Sequence, residues 1–193
     1  MARVLIVYAS QEGQTRRIAE ALAETLRHDS HEVRLAAGVP FPSIGGADGV
    51  IVAASVHRGR HPGALARAIR AHATVLRHIP SAFLSVCLSA ACDQPRQRAE
   101  AAGYLRNFTG RTGWRPELEA SVAGALRSDA GGPFRLRRQR ALARRHGLPA
   151  DPPVDREYTD WEDVRRFAEA FSALLAARAH GRHSWNASIA RRS

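Results

Sequence analysis

Short apolar runs alternate with amphipathic helical stretches along most of the chain. Two of the apolar runs, Arg3 to Tyr8 and Gly49 to Ala54, are rich in β-branched residues, which is typical of strands buried on both faces. Between them, apolar residues recur at the spacing of one helix face: Ile18, Ala19, Leu22 and Leu26. Because strands that alternate with helices form parallel sheets with right-handed crossovers, this order predicts an α/β fold.

Five predicted strands define the topology: residues 3–8, 31–35, 49–54, 82–88 and 121–126. With no long antiparallel stretch among them, they favour a doubly wound, five-stranded parallel sheet in the order 2-1-3-4-5. The connection at residues 128–157 is rich in arginine and too long for an ordinary loop, so we predict an inserted element there, before the last helix. We expect one domain over residues 1–178 and a disordered tail at residues 179–193.

The chain is strongly basic. It has 29 arginines and no lysine against 18 acidic residues, which gives a formal net charge of +11. Codon bias accounts for this balance as well as function does, and the functional explanation is attraction to an anionic partner. Nucleic acid, a membrane surface and a substrate with carboxylates all fit, and composition does not choose among them.

Composition excludes several other classes of protein. No apolar run approaches the roughly 20 residues that a membrane-spanning helix needs, and the N-terminus lacks the pattern of a secretory signal. Two cysteines, Cys87 and Cys92, are too few for a disulfide scaffold, and no cluster of His, Cys, Asp and Glu has metal-ligand spacing. We therefore expect a cytoplasmic protein without a metal site.

The most informative local pattern lies where the first strand meets the first helix. A loop of small and hydroxyl-bearing residues follows the strand, and the helix begins at once: Ser10, Gln11, Glu12, Gly13, Gln14 and Thr15. Backbone N–H groups in such a loop and the positive end of the helix dipole bind a phosphate without lysine. The loop differs from the glycine patterns of NAD sites and of ATP-binding P-loops, which argues against both nucleotides. A Ser/Thr-rich helix cap with no ligand is the alternative.

Residues 6–15 resemble the flavodoxin signature at all of its specified positions. In that family the loop holds the phosphate of FMN, so the resemblance implies an FMN site and a flavodoxin-like fold. Glu12 departs from the pattern because it places an acid beside a dianion. Its side chain is expected to point away, so that only its backbone helps.

The resemblance also implies where the flavin ring lies, because the switch point of such a sheet falls between the loops after the third and fourth strands. These loops supply the other expected cofactor-binding residues: Ser55, Val56, His57, Arg58, Gly59, Leu88, Ser89, Ala90, Ala91 and Cys92. Neither loop contains the Trp or Tyr that stacks on the ring in electron-carrier flavodoxins. We therefore expect a more exposed ring, which suits direct contact with a flat organic substrate.

Motifs along almost the whole chain narrow the resemblance. From residue 3 to about residue 175 they are similar to those of the flavodoxin-type protoporphyrinogen oxidases, which are menaquinone-dependent dehydrogenases: Gly13 to Arg16, Ala54 and Ser55 with Gly59, His72 to Thr74, Pro80 to Phe83, Trp114 to Pro116, Ala123 to Arg127 and Tyr158 to Glu162. The resemblance implies FMN-dependent oxidation of protoporphyrinogen IX in haem biosynthesis. It also implies transfer of electrons to a quinone, and contact with the cytoplasmic face of a membrane.

Arginines near the expected ring are candidates for binding the two propionates of that substrate, because guanidinium pairs bidentately with carboxylate. They are Arg58, Arg60 and Arg127, together with the arginines of the insert. No side chain stands out as a general acid or base, so no catalytic residue is predicted. The insert carries fewer large apolar residues than is usual in the family, which favours electrostatic contact with anionic headgroups over insertion. A solvated charged helix is the alternative.

Two other functions stay open. An FMN-dependent quinone reductase or electron carrier would have the same cofactor site, although carriers that dock basic partners are usually acidic. A nucleic-acid-binding protein fits the arginines, but the chain lacks interleaved aromatic residues or a recognised binding module, so we expect no nucleic acid partner. The sequence leaves the oligomeric state open.

Two further expectations concern packing. Thr159 and Glu162 have capping-box spacing at the start of the last helix. The apolar stripe of that helix includes Trp161, which is therefore expected in the core. Trp114 is expected to pack beneath the sheet.

Overall fold

The computed structural model describes residues 1–126, 141, 144, 145, 147 and 156–190, with side chains among these up to residue 180 except that of Leu126. The strands are β1 (Arg3–Ala9), β2 (Glu32–Ala37), β3 (Gly49–Ser55), β4 (Ser81–Val86), β5 (Leu118–Val122), β6 (Ala125–Leu126) and β7 (Arg156–Glu157). The helices are α1 (Gln14–His28), α2 (Gly63–Leu76), α3 (Pro95–Thr112) and α4 (Trp161–Ala190), with a short 3₁₀ segment at Leu88–Ala91.

Strands β1 to β5 form one parallel sheet in the order β2-β1-β3-β4-β5, which confirms the predicted topology. In its centre, Ile6 of β1 pairs with Leu35 of β2 and with Ile51 of β3. β3 and β4 are buried along nearly their whole length because helices cover both faces. Since all five strands run the same way, the loops that follow β1, β3 and β4 lie at one edge of the sheet.

Two apolar layers join the sheet to its helices. On one face, α1 and α4 pack against alternate strand residues such as Ile51 and Leu84. On the other, α2 and α3 pack against their neighbours, including Val52 and Phe83. This alternation is the period of two that a strand buried on both faces requires.

Gly49 allows α4 to lie close to the sheet. A Cβ built at this glycine would come within 2.7 Å of Leu175 Cδ2 and 3.0 Å of Phe171 Cζ. Any side chain at this position would push the helix away from the start of β3.

The fifth strand differs from the prediction. β5 begins at Leu118 rather than at Ser121, and its exposed Glu119 interrupts the apolar run that the sequence analysis required. Such alternation is typical of an edge strand. Ala125–Leu126 forms instead an antiparallel pair with Arg156–Glu157, so the predicted insert leaves and rejoins the domain at one place.

The start of α4 also corrects two expectations. Asp160, not Thr159, caps the helix, because Asp160 Oδ1 accepts hydrogen bonds from the N–H groups of Glu162 and Asp163 over 2.9 and 3.2 Å. Trp161 is 39% exposed, so its expected place in the core is wrong: it stands at the first helical position, outside the buried stripe. Trp114 is fully buried, as predicted.

Helix α4 continues to Ala190, past residue 178, where the sequence analysis ends the domain. Residues 176–179 are alanines and an arginine, which are strong helix formers and favour propagation. Residues 191–193 and most of 128–157 lie outside the described residues, so the division into domain, insert and tail stays a prediction. Within the described part, no helix is both long and apolar enough to cross a bilayer.

Candidate cofactor and substrate site

The loop between β1 and α1 presents amide groups that the helix does not use. Gly13, at the helix N-terminus, has φ +88°, and its N–H donates a hydrogen bond to Ser10 Oγ over 3.0 Å. No side chain caps α1, and its first backbone hydrogen bond runs from Arg17 N–H to Gly13 O. The helical residues before Arg17 therefore have N–H groups without an acceptor in the helix, at the positive end of its dipole.

The surroundings of this loop fit a phosphate group. A Cβ built at Gly13 would meet no atom within 4 Å, so the loop faces open space. Gln11 and Gly13 are exposed, whereas Gln14 and Thr15 are buried in the first turn of α1. The N-cap itself is glycine, so the capping residue offers no side-chain acceptor to the first-turn N–H groups. The geometry therefore favours an anion site.

Gln14 anchors the loop to the end of β5. Its Nε2 donates to Thr159 Oγ1 over 2.9 Å, and the Thr159 hydroxyl donates to Ala123 O over 2.9 Å. Arg17 donates to Gln14 Oε1 over 3.2 Å and to Glu157 Oε2 over 2.7 Å. The side chain of Gln14 is thus occupied in holding the loop, which leaves its backbone N–H as the group available to a ligand. The sequence pattern assigns Thr159 to a helix cap and gives no sign of this contact, because Thr159 lies far from Gln14 along the chain.

The loop after β3 is a tight hairpin. His57 and Arg60 exchange backbone hydrogen bonds of 2.9 and 3.1 Å, and the two residues between them, Arg58 and Gly59, have φ of +51° and +77°. Positive φ at both central residues is the geometry of a type I′ turn. At its base, the Ser55 hydroxyl donates to the last carbonyl of β1 over 3.2 Å, which ties the hairpin to the neighbouring strand.

A cleft of about 430 Å³ opens between the hairpin and the loop that precedes α1. Its lining comes from both: Gln11, His57, Arg58, Arg60, His61 and Pro62. The structure thus brings Arg58 and Arg60, two of the three expected substrate-binding arginines, to one cleft. The third, Arg127, lies outside the described residues.

The loop after β4 forms the 3₁₀ segment, which contains Leu88, Ser89, Ala90 and Ala91 and is followed by Cys92. It lies at the same sheet edge as the hairpin, since Val56 N–H donates to Val86 O over 2.9 Å. Ser89 is buried, and its hydroxyl donates to Glu100 Oε2 of α3 over 2.9 Å. Burial raises the pKa of the Cys87 thiol to about 11, so this cysteine is un-ionised at neutral pH and suits a packing role.

Tyr104 of α3 lies beside the hairpin, a position that the sequence pattern did not indicate. A Cβ built at Gly59 would lie 3.9 Å from Tyr104 Cε1, and the Tyr104 hydroxyl donates to Glu100 Oε1 over 2.8 Å. Burial, together with the Glu100 carboxylate, raises the pKa of Tyr104 to about 12. An aromatic ring therefore lies beside the hairpin although neither loop contains one. In the sequence, only its position next to the buried Leu105 on the same helix could have indicated that Tyr104 lies near the core.

His61 lies at the bottom of the cleft, inside an aromatic cluster. Its ring centroid is 5.1 Å from the rings of Phe83 and of Phe108, and its Nε2 is 3.3 Å from Ser85 Oγ. Burial lowers the pKa of His61 to about 4. The imidazole is therefore neutral at physiological pH and adds no positive charge to the cleft.

We predict that His61 makes the fold less stable in mild acid. Its pKa is lower in the folded chain than the ordinary value of 6.5, so the unfolded chain binds more protons between the two values. The contribution of neutral His61 to the free energy of unfolding is fully present well above pH 6.5, and it is lost as the pH falls towards 4. Between about pH 7.5 and about pH 5, the loss should be about 2 kcal/mol of unfolding free energy.

Urea unfolding of the wild type and of His61→Phe at the two pH values measures this loss, and the variant should lose about 2 kcal/mol less on acidification. His28→Asn is the matched control because that side chain is 92% exposed, and it should follow the wild type. Identical acid sensitivity of His61→Phe and the wild type would contradict the assignment.

Comparison with known proteins shows the family to which the chain belongs. The family model of the flavodoxin domain matches residues 5–134. Protoporphyrinogen IX dehydrogenase (quinone) of Escherichia coli strain K12 is 32% identical over 175 residues, which are 89% of this chain and 96% of that protein. The chain belongs to the flavodoxin-type protoporphyrinogen dehydrogenase family. A Leishmania major protein of the same name is 29% identical over 181 residues, which are 91% of this chain and 77% of that protein.

Among solved structures, a short-chain flavodoxin associated with a non-canonical PDU bacterial microcompartment is similar, with a TM-score of 0.56 and 11% identity. The similarity covers 91% of this chain and 99% of that one, and at this identity it concerns the fold alone. The predicted flavodoxin-like fold and the predicted family are thus confirmed. The relatives are oxidoreductases by name, as expected, and membership of the family supports a flavin ligand.

Proposed function

We propose that this chain binds FMN and oxidises protoporphyrinogen IX to protoporphyrin IX, with a quinone such as menaquinone as the electron acceptor. The observation that carries the proposal is the N-terminus of α1, whose cap is a glycine without a side-chain acceptor, beside a cleft with two arginines. Its chemical interpretation is supported by the protein of that name, to which the chain is 32% identical over 89% of its length. A role in haem biosynthesis follows from this substrate.

The proposal assigns a part to each loop. Backbone N–H groups of residues 10–15 and the hydroxyls of Ser10 and Thr15 would hold the phosphate of FMN. Residues 55–59 and 88–92 would flank the flavin ring. When bound, FMN supplies the acceptor for the electrons that leave the substrate, and the protein positions the substrate and sets the electrostatics.

Arg58 and Arg60 would orient the substrate by pairing with its propionates. Both residues belong to a hairpin closed by two backbone hydrogen bonds, which limits the conformational freedom that the loop loses when they bind. The neighbouring His61 is neutral, so the positive charge available to carboxylates comes from the guanidinium groups.

We also propose a cytoplasmic location with peripheral contact to anionic headgroups, where a lipid-soluble quinone is accessible. The formal net charge of +11 supports this contact, since each basic residue near an anionic surface contributes about 1 kcal/mol. Attraction of this kind requires no helix that spans the bilayer.

Arg58→Gln and Arg60→Gln should each raise the KM for protoporphyrinogen IX about fivefold, with a smaller change in kcat. An exposed charge pair is worth about 1 kcal/mol, which corresponds to that factor. The measurement is an anaerobic assay of protoporphyrin fluorescence with the FMN-loaded protein and a menaquinone analogue.

Arg67→Gln is the matched control, because Arg67 is exposed on α2 and does not line the cleft. An unchanged KM in both cleft variants would contradict the role of these arginines. The proposed substrate would be contradicted if the wild type formed no fluorescent porphyrin but still reduced the quinone with electrons from an artificial donor. That outcome would favour a quinone reductase or electron carrier.

A further inference from the structure

A second cavity lies at the N-terminus of α3, with a volume of about 360 Å³. It shares no lining residue with the cleft described above, and its walls are Gln94, Arg96, Gln97, Glu100, Arg144, Arg145 and Gly147. The charged side chains among these are three guanidiniums and one carboxylate. The cavity therefore has an excess of positive charge, which favours an anionic ligand.

Gln97 gives this cavity an unsatisfied polar group. Its side chain is only 7% exposed, and its Oε1 has no hydrogen-bond partner in the described part of the chain. A buried amide oxygen without a partner is costly, which points to a missing ligand. Because the oxygen and nitrogen of a side-chain amide exchange places by a half-turn, the same group can donate to an anion.

Backbone N–H groups at the N-terminus of α3 add partial positive charge to that of the guanidinium groups. No side chain caps α3, whose first backbone hydrogen bond runs from Arg98 N–H to Gln94 O. The N–H groups of Arg96 and Gln97 precede that bond and have no acceptor within the helix. An anion between them and the guanidiniums would be stabilised by both.

Glu100 connects this cavity to the segment proposed to flank the flavin ring. Its Oε1 accepts from Arg145 over 2.9 Å and from the Tyr104 hydroxyl over 2.8 Å, while its Oε2 accepts from Ser89 over 2.9 Å. One carboxylate thus holds the predicted insert, α3 and the 3₁₀ segment together. The cavity is next to the ring segment rather than on a remote surface.

We propose that the cavity at the N-terminus of α3 binds a propionate carboxylate of the tetrapyrrole substrate through Arg96, Arg144 and Gln97. This inference rests on the proposed function and adds a carboxylate subsite to it. It also gives the basic insert a role in recognising the substrate, since Arg144 and Arg145 come from the insert and Arg96 from the domain.

The test compares protoporphyrin IX with its dimethyl ester, which lacks the carboxylate charges. Fluorescence titration of the FMN-loaded wild type should show about a hundredfold tighter binding of the free acid, because the ester loses charge-assisted hydrogen bonds both in this cavity and at Arg58 and Arg60. The double variant Arg96→Gln with Arg144→Gln should bind the free acid about tenfold more weakly and the ester as the wild type does. Arg98→Gln is the matched control, because Arg98 lies on the same turn without lining the cavity.

Three other outcomes would overturn the carboxylate subsite, and they distinguish its failure from failure of the proposed function. Equal affinity of the wild type and the double variant for the free acid would overturn this inference while leaving the proposed function intact. A wild type that neither binds protoporphyrin IX nor oxidises protoporphyrinogen IX would overturn both. Weaker binding of the double variant to phosphatidylglycerol vesicles, with porphyrin affinity unchanged, would assign the cavity to a lipid headgroup and overturn the substrate subsite.

Discussion

Gly13→Val is expected to weaken the binding of FMN about a hundredfold. Gly13 has φ +88°, a conformation that a β-branched residue adopts only under strain of about 1–3 kcal/mol. The strain is relieved when the loop moves, which turns its amide groups away from the phosphate. Space does not limit the substitution, because a Cβ at this position meets no atom within 4 Å. Fluorescence titration of the FMN-free variant with FMN measures the effect.

Two other glycines provide matched controls, one within α3 and one directly after it. Gly113 also has positive φ, +68°, and open space around it, so Gly113→Val should cost similar folding stability while leaving FMN affinity unchanged. Gly103 has open space within α3, so Gly103→Ala should raise folding stability by about 1 kcal/mol, because alanine is the better helix former, and should leave FMN affinity unchanged. Equal loss of FMN affinity in Gly13→Val and Gly113→Val would mean that general destabilisation, and not the loop, causes the effect.

Trp114→Ala should lower the free energy of unfolding by about 3–5 kcal/mol, the usual cost of removing a large buried aromatic side chain. Trp114 is fully buried against Phe83, with ring centroids 5.7 Å apart, and its Nε1 donates to Ser81 Oγ over 3.1 Å. The substitution therefore leaves a cavity beneath the sheet and removes a buried hydrogen bond. Urea denaturation at neutral pH measures the change.

Trp161→Ala is the matched control for this prediction. Trp161 is 39% exposed and contacts the Arg17 guanidinium at 5.4 Å from its ring centroid, so its loss should cost only about 1 kcal/mol. Similar losses for the two tryptophan variants would contradict the contrast between a core residue and a surface residue.

The sheet was predictable because apolar runs and helical stripes alternate, and right-handed crossovers leave few topologies for that order. The predictions that were wrong concern residues whose local sequence pattern does not match their burial in the fold. β5 is an edge strand whose exposed Glu119 hides its start, and Trp161 occupies a first helical position that a periodicity count assigns to the stripe. Thr159 has the residue type of a helix cap, but its hydroxyl donates to Ala123 O across the fold.

Part of the candidate site could likewise be predicted from the sequence, and part depends on tertiary packing. The loops that would hold FMN follow strands directly, so sequence position alone puts them at one sheet edge. Tyr104 and Glu100 enter the site from the middle of α3, and their roles depend on how that helix packs against the 3₁₀ segment. The link from Arg145 to Glu100 spans a long connection, and no local signal in the sequence identifies such a pair.

The most direct test of the account compares FMN with riboflavin, which has the same ring without the phosphate. Titration of the FMN-free wild-type chain should show one FMN bound per chain, with affinity at least about a hundredfold above that for riboflavin, because the amides before Arg17 act on the phosphate alone. Equal affinity for the two compounds, or no binding of either, would contradict a phosphate site at the N-terminus of α1.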